Sequence, residues 1–259
     1  MVSLSRTPGT PRGQTSSGRR RRSRGLDVVY EDDAIVVVNK PPGLLSVPLE
    51  RNPAAPSVFD QLVARYRSHG KQRPFVVHRI DQDSSGLVVF ARSPSMQRIL
   101  VDQFRRREPE RVYLAVVHGR PNPATGTWRD RLVWNAKALV QRVARPGDSA
   151  AEEAISEYKV VEDLRNASLL EVRLRTGRRN QIRIQTAIRG HALVGERRYL
   201  SEDPPAAVIH FERQALHALR LTFRHPRDGR MVTLEAPFPP DFADLLARLR
   251  VRSTRRPAL

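Results

Sequence analysis

Apolar and polar residues alternate along this chain in short strand-like runs, with a few helical stretches between them. Leu26-Asp27-Val28-Val29-Tyr30 and Ala34-Ile35-Val36-Val37-Val38 flank the polar turn Glu31-Asp32-Asp33. They predict a two-strand opening that stops at Asn39-Lys40-Pro41-Pro42-Gly43, where two prolines cannot continue a ladder. Behind Ser57, a helix cap, Phe59, Leu62, Val63 and Tyr66 recur at helical spacing. Ser93-Pro94 reads as a second N-cap with proline in the first turn, followed by Met96, Ile99, Leu100 and Phe104 on one face and Arg105, Arg106 and Arg107 at the C-terminal end.

Further strands are expected at 75–77, 87–91, 112–118, 156–161, 169–175, 216–223 and 230–235. A helix is expected at 180–189, and a terminal one uses Phe242, Leu245, Leu246 and Leu249. Many strands and scattered helices, with no regular βα alternation and no internal repeat, predict an α+β class fold around a mixed sheet. In the strand at 112–118, Tyr113 falls on the face opposite Val112, Leu114 and Val116, facing a cavity.

Length and charge refine this outline. The chain has 259 residues, enough for one main domain with a full core. Residues 1–25 are Ser, Gly, Pro, Thr and Arg with almost nothing to bury, and are expected to form a disordered basic arm. Residues 26–250 form the folded body, and 251–259 a basic tail. Of the net charge of +19, seven units lie on arginines of residues 1–25 and five on arginines of 248–259, with no acid in either stretch, leaving seven on the body. Such a balance fits a partner with a phosphate backbone. Only four lysines occur, so a GC-rich coding bias toward arginine accounts for part of the excess. Cysteine is absent, which excludes disulfides, thiol catalysis and cysteine-bound zinc. No apolar run approaches the roughly 20 residues of a membrane helix, and no secretory signal is visible, so a cytoplasmic location is expected.

Candidate chemistry gathers in two polar segments at strand ends, where loops commonly carry function. His78-Arg79-Ile80-Asp81-Gln82-Asp83-Ser84-Ser85-Gly86 lies between the apolar runs at 75–77 and 87–91. Asp and Ser also form ordinary turns, so this stretch alone leaves turn and site evenly matched. The second segment, Thr176-Gly177-Arg178-Arg179-Asn180-Gln181-Ile182-Arg183, follows the alternation Leu170, Val172, Leu174. Two such loops can converge on one pocket. His78, His191 and His217 form no triad or ligand pair and read as structural, and no metal site is expected.

In this order the segments resemble the RluA-type family of pseudouridine synthases, which isomerise selected uridines in ribosomal or transfer RNA. The resemblance runs from Tyr30-Glu31-Asp32-Asp33 and Val38 to Gly43 through 78–86, Arg111-Val112-Tyr113-Leu114-Ala115 and 176–183. It continues to Gly190-His191-Ala192-Leu193-Val194-Gly195 and Leu216-His217-Ala218, nearly the whole body. It implies a mostly antiparallel sheet with flanking helices, and a monomer that acts on RNA without cofactor or metal. It implies that Asp81 is the catalytic carboxylate, Tyr113 the aromatic residue against the target base and Arg183 the basic partner of the aspartate. Arg79 would fill the gap left by the everted base, with His78, Arg178 and Gln181 as further RNA contacts.

Physical chemistry fits these roles. Pseudouridine formation breaks N1–C1′, turns the uracil and joins C5 to C1′; an ionised aspartate can attack C1′ or C6, and a nearby guanidinium keeps it ionised. Tyr113 offers a stacking face, and proton transfer by it is left open because an ordinary phenol near pKa 10 is a poor base at neutral pH. The sequence departs from the usual pattern at Arg179-Asn180, where Thr or Ser and then His are common, at Gln185, where His is common, and at Ser84, where Thr is commoner. Residues 1–25 are too few for the small N-terminal RNA-binding (S4) domain of many relatives. Two rival readings are a non-catalytic RNA-binding protein on the same fold, and a transferase holding Mg²⁺ between Asp81 and Asp83.

Overall fold

The computed structural model describes residues 25–50, 52–68, 73–201 and 207–250. Save for Gly25, the basic arm and tail expected from the sequence lie outside the described residues. Among the described residues, eleven strands form one sheet: β1 (Asp27–Glu31), β2 (Ile35–Lys40), β3 (Phe75–Val76), β4 (Ser85–Ala91), β5 (Glu110–His118), β6 (Thr125–Asn135), β7 (Val140–Val143), β8 (Glu152–Leu164), β9 (Ala167–Leu174), β10 (Leu216–Arg224) and β11 (Met231–Glu235). Four helices accompany them: α1 (Val58–Arg67), α2 (Pro94–Arg105), α3 (Gln181–Ala187) and α4 (Pro240–Leu249). The order across the sheet is β1-β2-β4-β10-β5-β9-β8-β6-β7, with β3 also paired to β4 and β11 to β10. Only the β4–β10 pairing is parallel, so the sheet is mixed and mostly antiparallel, as expected.

Strand alternation decides which helix covers which face. Val36, Val38, Val88 and Phe90 pack with Val58, Leu62 and Tyr66 of α1, whereas Ile35, Val37, Leu87 and Val89 pack with Leu100 of α2. Leu114 and Val116 pack with Phe242, Leu245, Leu246 and Leu249 of α4. Both expected caps form: Ser57 accepts from Asp60 N at 3.1 Å and Ser93 from Met96 N at 3.3 Å. On α2, Ile99 turns outward at 43 % exposure, and Gln103 takes an inward position because its side chain clasps the backbone of Arg224 through both amide atoms. Neither β6 nor β7 is anticipated from the sequence, and β8 begins at Glu152 rather than Ser156.

One cross-strand row positions the site. Gly86 of β4 pairs with Ala218 of β10, Ala218 with Tyr113 of β5, and Tyr113 with Val172 of β9. Gly86 has φ +111°, and a Cβ there would lie 2.2 Å from the Ala218 carbonyl oxygen, so this close approach requires glycine. The row brings the loop before β4, the middle of β5 and the loop after β9 to one region of the sheet.

Candidate active site

A cleft of about 990 Å³ opens over that row, lined among others by Arg79, Asp81, Tyr113 and Arg183. The two polar segments read from the sequence converge there from opposite sides. Asp81 Oδ2 accepts from Asn180 Nδ2 at 2.7 Å and from an Arg183 guanidinium nitrogen at 3.3 Å, across about a hundred residues of sequence.

The backbone around Asp81 is clamped on both sides. Ser46 Oγ donates to the Ile80 carbonyl at 2.9 Å and accepts from Ile80 N at 3.1 Å. Lys40, wholly buried, donates from Nζ to the carbonyls of Gln82 at 2.7 Å, Leu44 at 2.7 Å and Pro41 at 2.9 Å, using all three ammonium protons. Burial pulls the Lys40 pKa down to about 7, against the attraction of Asp83 and Asp81; the three carbonyl acceptors favour the charged form. Arg213 donates to the Asp83 carbonyl at 3.0 Å while held by Asp241 at 2.7 and 3.1 Å. Fastened at Ile80, Gln82 and Asp83, the loop leaves the Asp81 side chain little freedom.

Arg183 is shared rather than dedicated to Asp81. Its Nε and one terminal nitrogen each donate at 2.7 Å to Glu196, whose carboxylate also accepts from the backbone of Arg197, Arg198 and Tyr199 at 3.0, 2.8 and 3.2 Å. Burial opposes both charges, yet the mutual bonds prevail: Glu196 is held below the usual carboxylate range and Arg183 above the usual guanidinium one. Glu196 therefore anchors Arg183, and Arg183 reaches Asp81 with the nitrogen left over.

Asn180 occupies the N-cap of α3 in the left-handed region, φ +53°, without capping the helix. Its amide donates to Asp81 instead, and its carbonyl oxygen accepts from Tyr199 Oη at 3.2 Å. Tyr199 Oη in turn accepts from Gln141 N at 2.8 Å. Asp81, Asn180, Tyr199, Arg183 and Glu196 thus form one connected network.

The remaining sequence candidates divide. Tyr113, 9 % exposed, lines the cleft, and burial pushes its phenol pKa up, with Arg111 opposing and Asp81 reinforcing. Arg79 is exposed on the cleft wall and, among the described residues, its guanidinium has no hydrogen-bond or ion-pair partner. Arg178 also lines the cleft but is tied to Glu152 and to the Glu153 carbonyl.

Two residues expected to contact RNA have their side chains engaged within the protein, although Gln181 lies in the cleft lining. His78 does not line the cleft: it stacks on Phe104 at 4.6 Å and accepts from Val89 N at 3.1 Å. Burial and the charge of Arg111 depress its pKa to about 3, so it is a neutral strand support. Gln181, 2 % exposed, accepts from Thr176 Oγ1 and Arg178 N and donates to Ile155 O and Ser156 Oγ, which exhausts its side chain.

His217 and His191 are structural, as read. His217 is buried between Ser85 Oγ and the Ala236 carbonyl, and His191 meets the His118 carbonyl. Among the described residues, no three of His, Cys, Asp and Glu gather as a metal site, and no helix is long and apolar enough to cross a membrane. The sequence reading missed Ser46, Glu196, Tyr199 and Arg213 and gave Lys40 no role of its own.

Residues 34–187 match the RNA pseudouridylate synthase family. The ribosomal large subunit pseudouridine synthase D of Zymomonas mobilis is 35% identical over 239 residues, 87% of this chain and 73% of the relative. An uncharacterized RNA pseudouridine synthase of Synechocystis is 34% identical over 231 residues, 88% of this chain and 70% of the relative. The chain belongs to the RluA-type family of RNA pseudouridine synthases. It is therefore an RNA isomerase. The fold agrees: human RNA pseudouridylate synthase domain containing 4 superposes with a TM-score of 0.71 at 21% identity, covering 86% of this chain and 92% of that one. The matched span contains Asp81, Tyr113 and Arg183 but ends before Glu196 and Tyr199, which complete the network around them.

Proposed function

We propose that this synthase isomerises an everted uridine of ribosomal or transfer RNA in the cleft over Asp81, acting in the cytoplasm as a monomer without metal or cofactor. The similarity to the ribosomal large subunit synthase of Zymomonas favours large-subunit ribosomal RNA among these. Asp81 is the catalytic carboxylate, Arg183 keeps it charged, Tyr113 packs against the base, and Arg79 fills the stack the base has left.

The observation that carries this reading is the meeting of Asp81 with Asn180 and Arg183 in the cleft that Tyr113 also lines. Two donors on one carboxylate oxygen orient the nucleophile that either a bond to C1′ or a bond to C6 requires. N1–C1′ then breaks, the uracil turns and C5 joins C1′. The C5 proton passes to the released Asp81 carboxylate, and N1 gains one from solvent. A phenol whose pKa is raised stays protonated at neutral pH, so Tyr113 serves as a stacking surface rather than as the base. Eversion costs a few kcal/mol, which stacking on Tyr113 and contacts from the arginine-rich cleft wall offset.

Chemical mapping of pseudouridine in total RNA, with and without the gene, assigns the uridine. Asp81→Asn is expected to lower isomerisation by more than about 10³-fold while RNA still binds, because size is kept and only charge and nucleophile are lost. Normal turnover by that variant overturns the assignment. RNA binding without turnover in the wild type supports instead the non-catalytic reading.

A further inference from the structure

The cleft is larger than one nucleoside needs. Its volume of about 990 Å³ is at the upper end for pockets that enclose an entire small ligand. A second hollow of about 340 Å³ adjoins it. Trp134, Gly177, Arg178 and Arg179 line both spaces and so make the partition between them.

That partition is built around a cation–π contact. The Arg179 guanidinium lies over the Trp134 indole, 3.9 Å from the ring centroid. The other tryptophan, Trp128, is 5 % exposed and stacked on Tyr158, so its ring is part of the core. Trp134 is instead half-buried at the cleft edge, carried there by β6. Arg179 immediately precedes Asn180, whose side chain is bonded to Asp81. Asp81, Asn180, Arg179 and Trp134 line the same cleft, so the stack borders the space in which a nucleotide flanking the target would lie.

The geometry points to the Trp134–Arg179 stack as a binding platform for the base of the nucleotide next to the target uridine, with the 340 Å³ hollow receiving that base. This inference rests on the reading of the cleft as the place where Asp81 meets uridine. Bases stack both on aromatic rings and on guanidinium planes. A guanidinium already held over an indole at 3.9 Å is ordered before RNA arrives, so little freedom remains to be lost on binding. Because every base has a π-face, the platform recognises the presence of a neighbouring base and not its identity.

The test uses an RNA fragment carrying the mapped uridine, together with two versions that lack the base on its 5′ or its 3′ side. Trp134→Ala is expected to raise KM roughly tenfold with kcat nearly unchanged, Arg179→Ala to act the same way, and Trp134→Phe to recover most of the loss. On one of the two abasic fragments, wild type and Trp134→Ala are expected to share the same KM. A penalty equal on all three fragments, or absent from all, overturns the platform.

A second arm separates this result from the function assignment. A uridine hexamer titrated into the Asp81→Asn protein is expected to quench tryptophan emission, and the change is expected to vanish when Trp134→Phe is added. Unchanged emission overturns the platform. Normal turnover by Asp81→Asn overturns only the role of Asp81.

Discussion

Replacing Glu196 by alanine removes the anchor behind the Arg183 guanidinium. The Glu196 side chain is 1% exposed and accepts five hydrogen bonds, two from Arg183 and three from backbone amides. After Glu196→Ala, Arg183, itself only 12% exposed, keeps a single 3.3 Å contact to Asp81, and three amides lose their acceptor. Breaking one side of a buried pair costs about 3–5 kcal/mol, a large part of the roughly 5–15 kcal/mol by which a typical fold is stable. With a urea m-value of about 3 kcal/mol/M, the unfolding midpoint is expected to fall by about 1–1.7 M at unchanged m. Glu196→Gln keeps the shape but turns an amide NH₂ toward an Arg183 donor, and is expected to cost about 1–3 kcal/mol.

The pH dependence carries a sign. The folded-state pKa of Glu196 is depressed, so its contribution is complete above the unfolded value near 4.3 and is lost as pH falls through the folded one. The gap between wild type and Glu196→Gln is therefore expected to close in acid. Urea titrations at neutral and acid pH measure both effects. An alanine variant within about 1 kcal/mol of wild type at neutral pH, or a gap that survives in strong acid, refutes the reasoning.

Lys40→Met removes the three donors that hold the Pro41, Leu44 and Gln82 carbonyls; single-turnover isomerisation is expected to slow by roughly 10²-fold through misplacement of Asp81, with RNA affinity kept, and an unaltered rate refutes the clamp. Gly86→Ala drives a Cβ to 2.2 Å from the Ala218 carbonyl oxygen at a φ of +111°, so thermal melting is expected to show a loss of at least about 1–3 kcal/mol; wild-type stability means that the β4–β10 contact yields easily. Asp32 accepts from Tyr30 Oη and from the backbone of Ala34 and Ile35 and faces His225. Burial is outweighed by these partners, and its pKa is lowered to about 2. Its stabilisation is thus expected to be full above the ordinary value near 3.9 and to disappear as pH falls toward 2, so Asp32→Asn and wild type should converge in acid unfolding, and a constant difference refutes the assignment.

Legibility in the sequence followed how local each constraint was. The β1–β2 hairpin, α1, α2, β4, β5 and α4 could be read because apolar period and caps lie within a few residues of one another. The β6–β7 hairpin escaped because Arg129, Asp130 and Arg131 interrupt the apolar positions around Trp128 and Leu132, and its pairing with β8 is a long-range decision. Asp81 and Arg183 stood out within polar segments. Glu196, Tyr199 and Arg213 did not, since a lone acid in Gly-Glu-Arg-Arg-Tyr looks like surface until the fold buries it against Arg183. Lys40 sat inside a recognised stretch, yet its donor role appears only when Gln82 comes alongside. His78 shows the converse, because a histidine beside the Asp81 loop in sequence stacks on Phe104 of α2 in space.

The place of β10 between β4 and β5 imposes an order of events on the maturing enzyme. When a ribosome has produced residues 1–200, Asp81, Tyr113 and Arg183 all exist, but the strand that bridges their two halves of the sheet has not been made. Such non-local pairing closes late and slowly. Chains that end before β10 are consequently expected to lack isomerase activity, so that only molecules whose synthesis has gone nearly to completion would act on RNA.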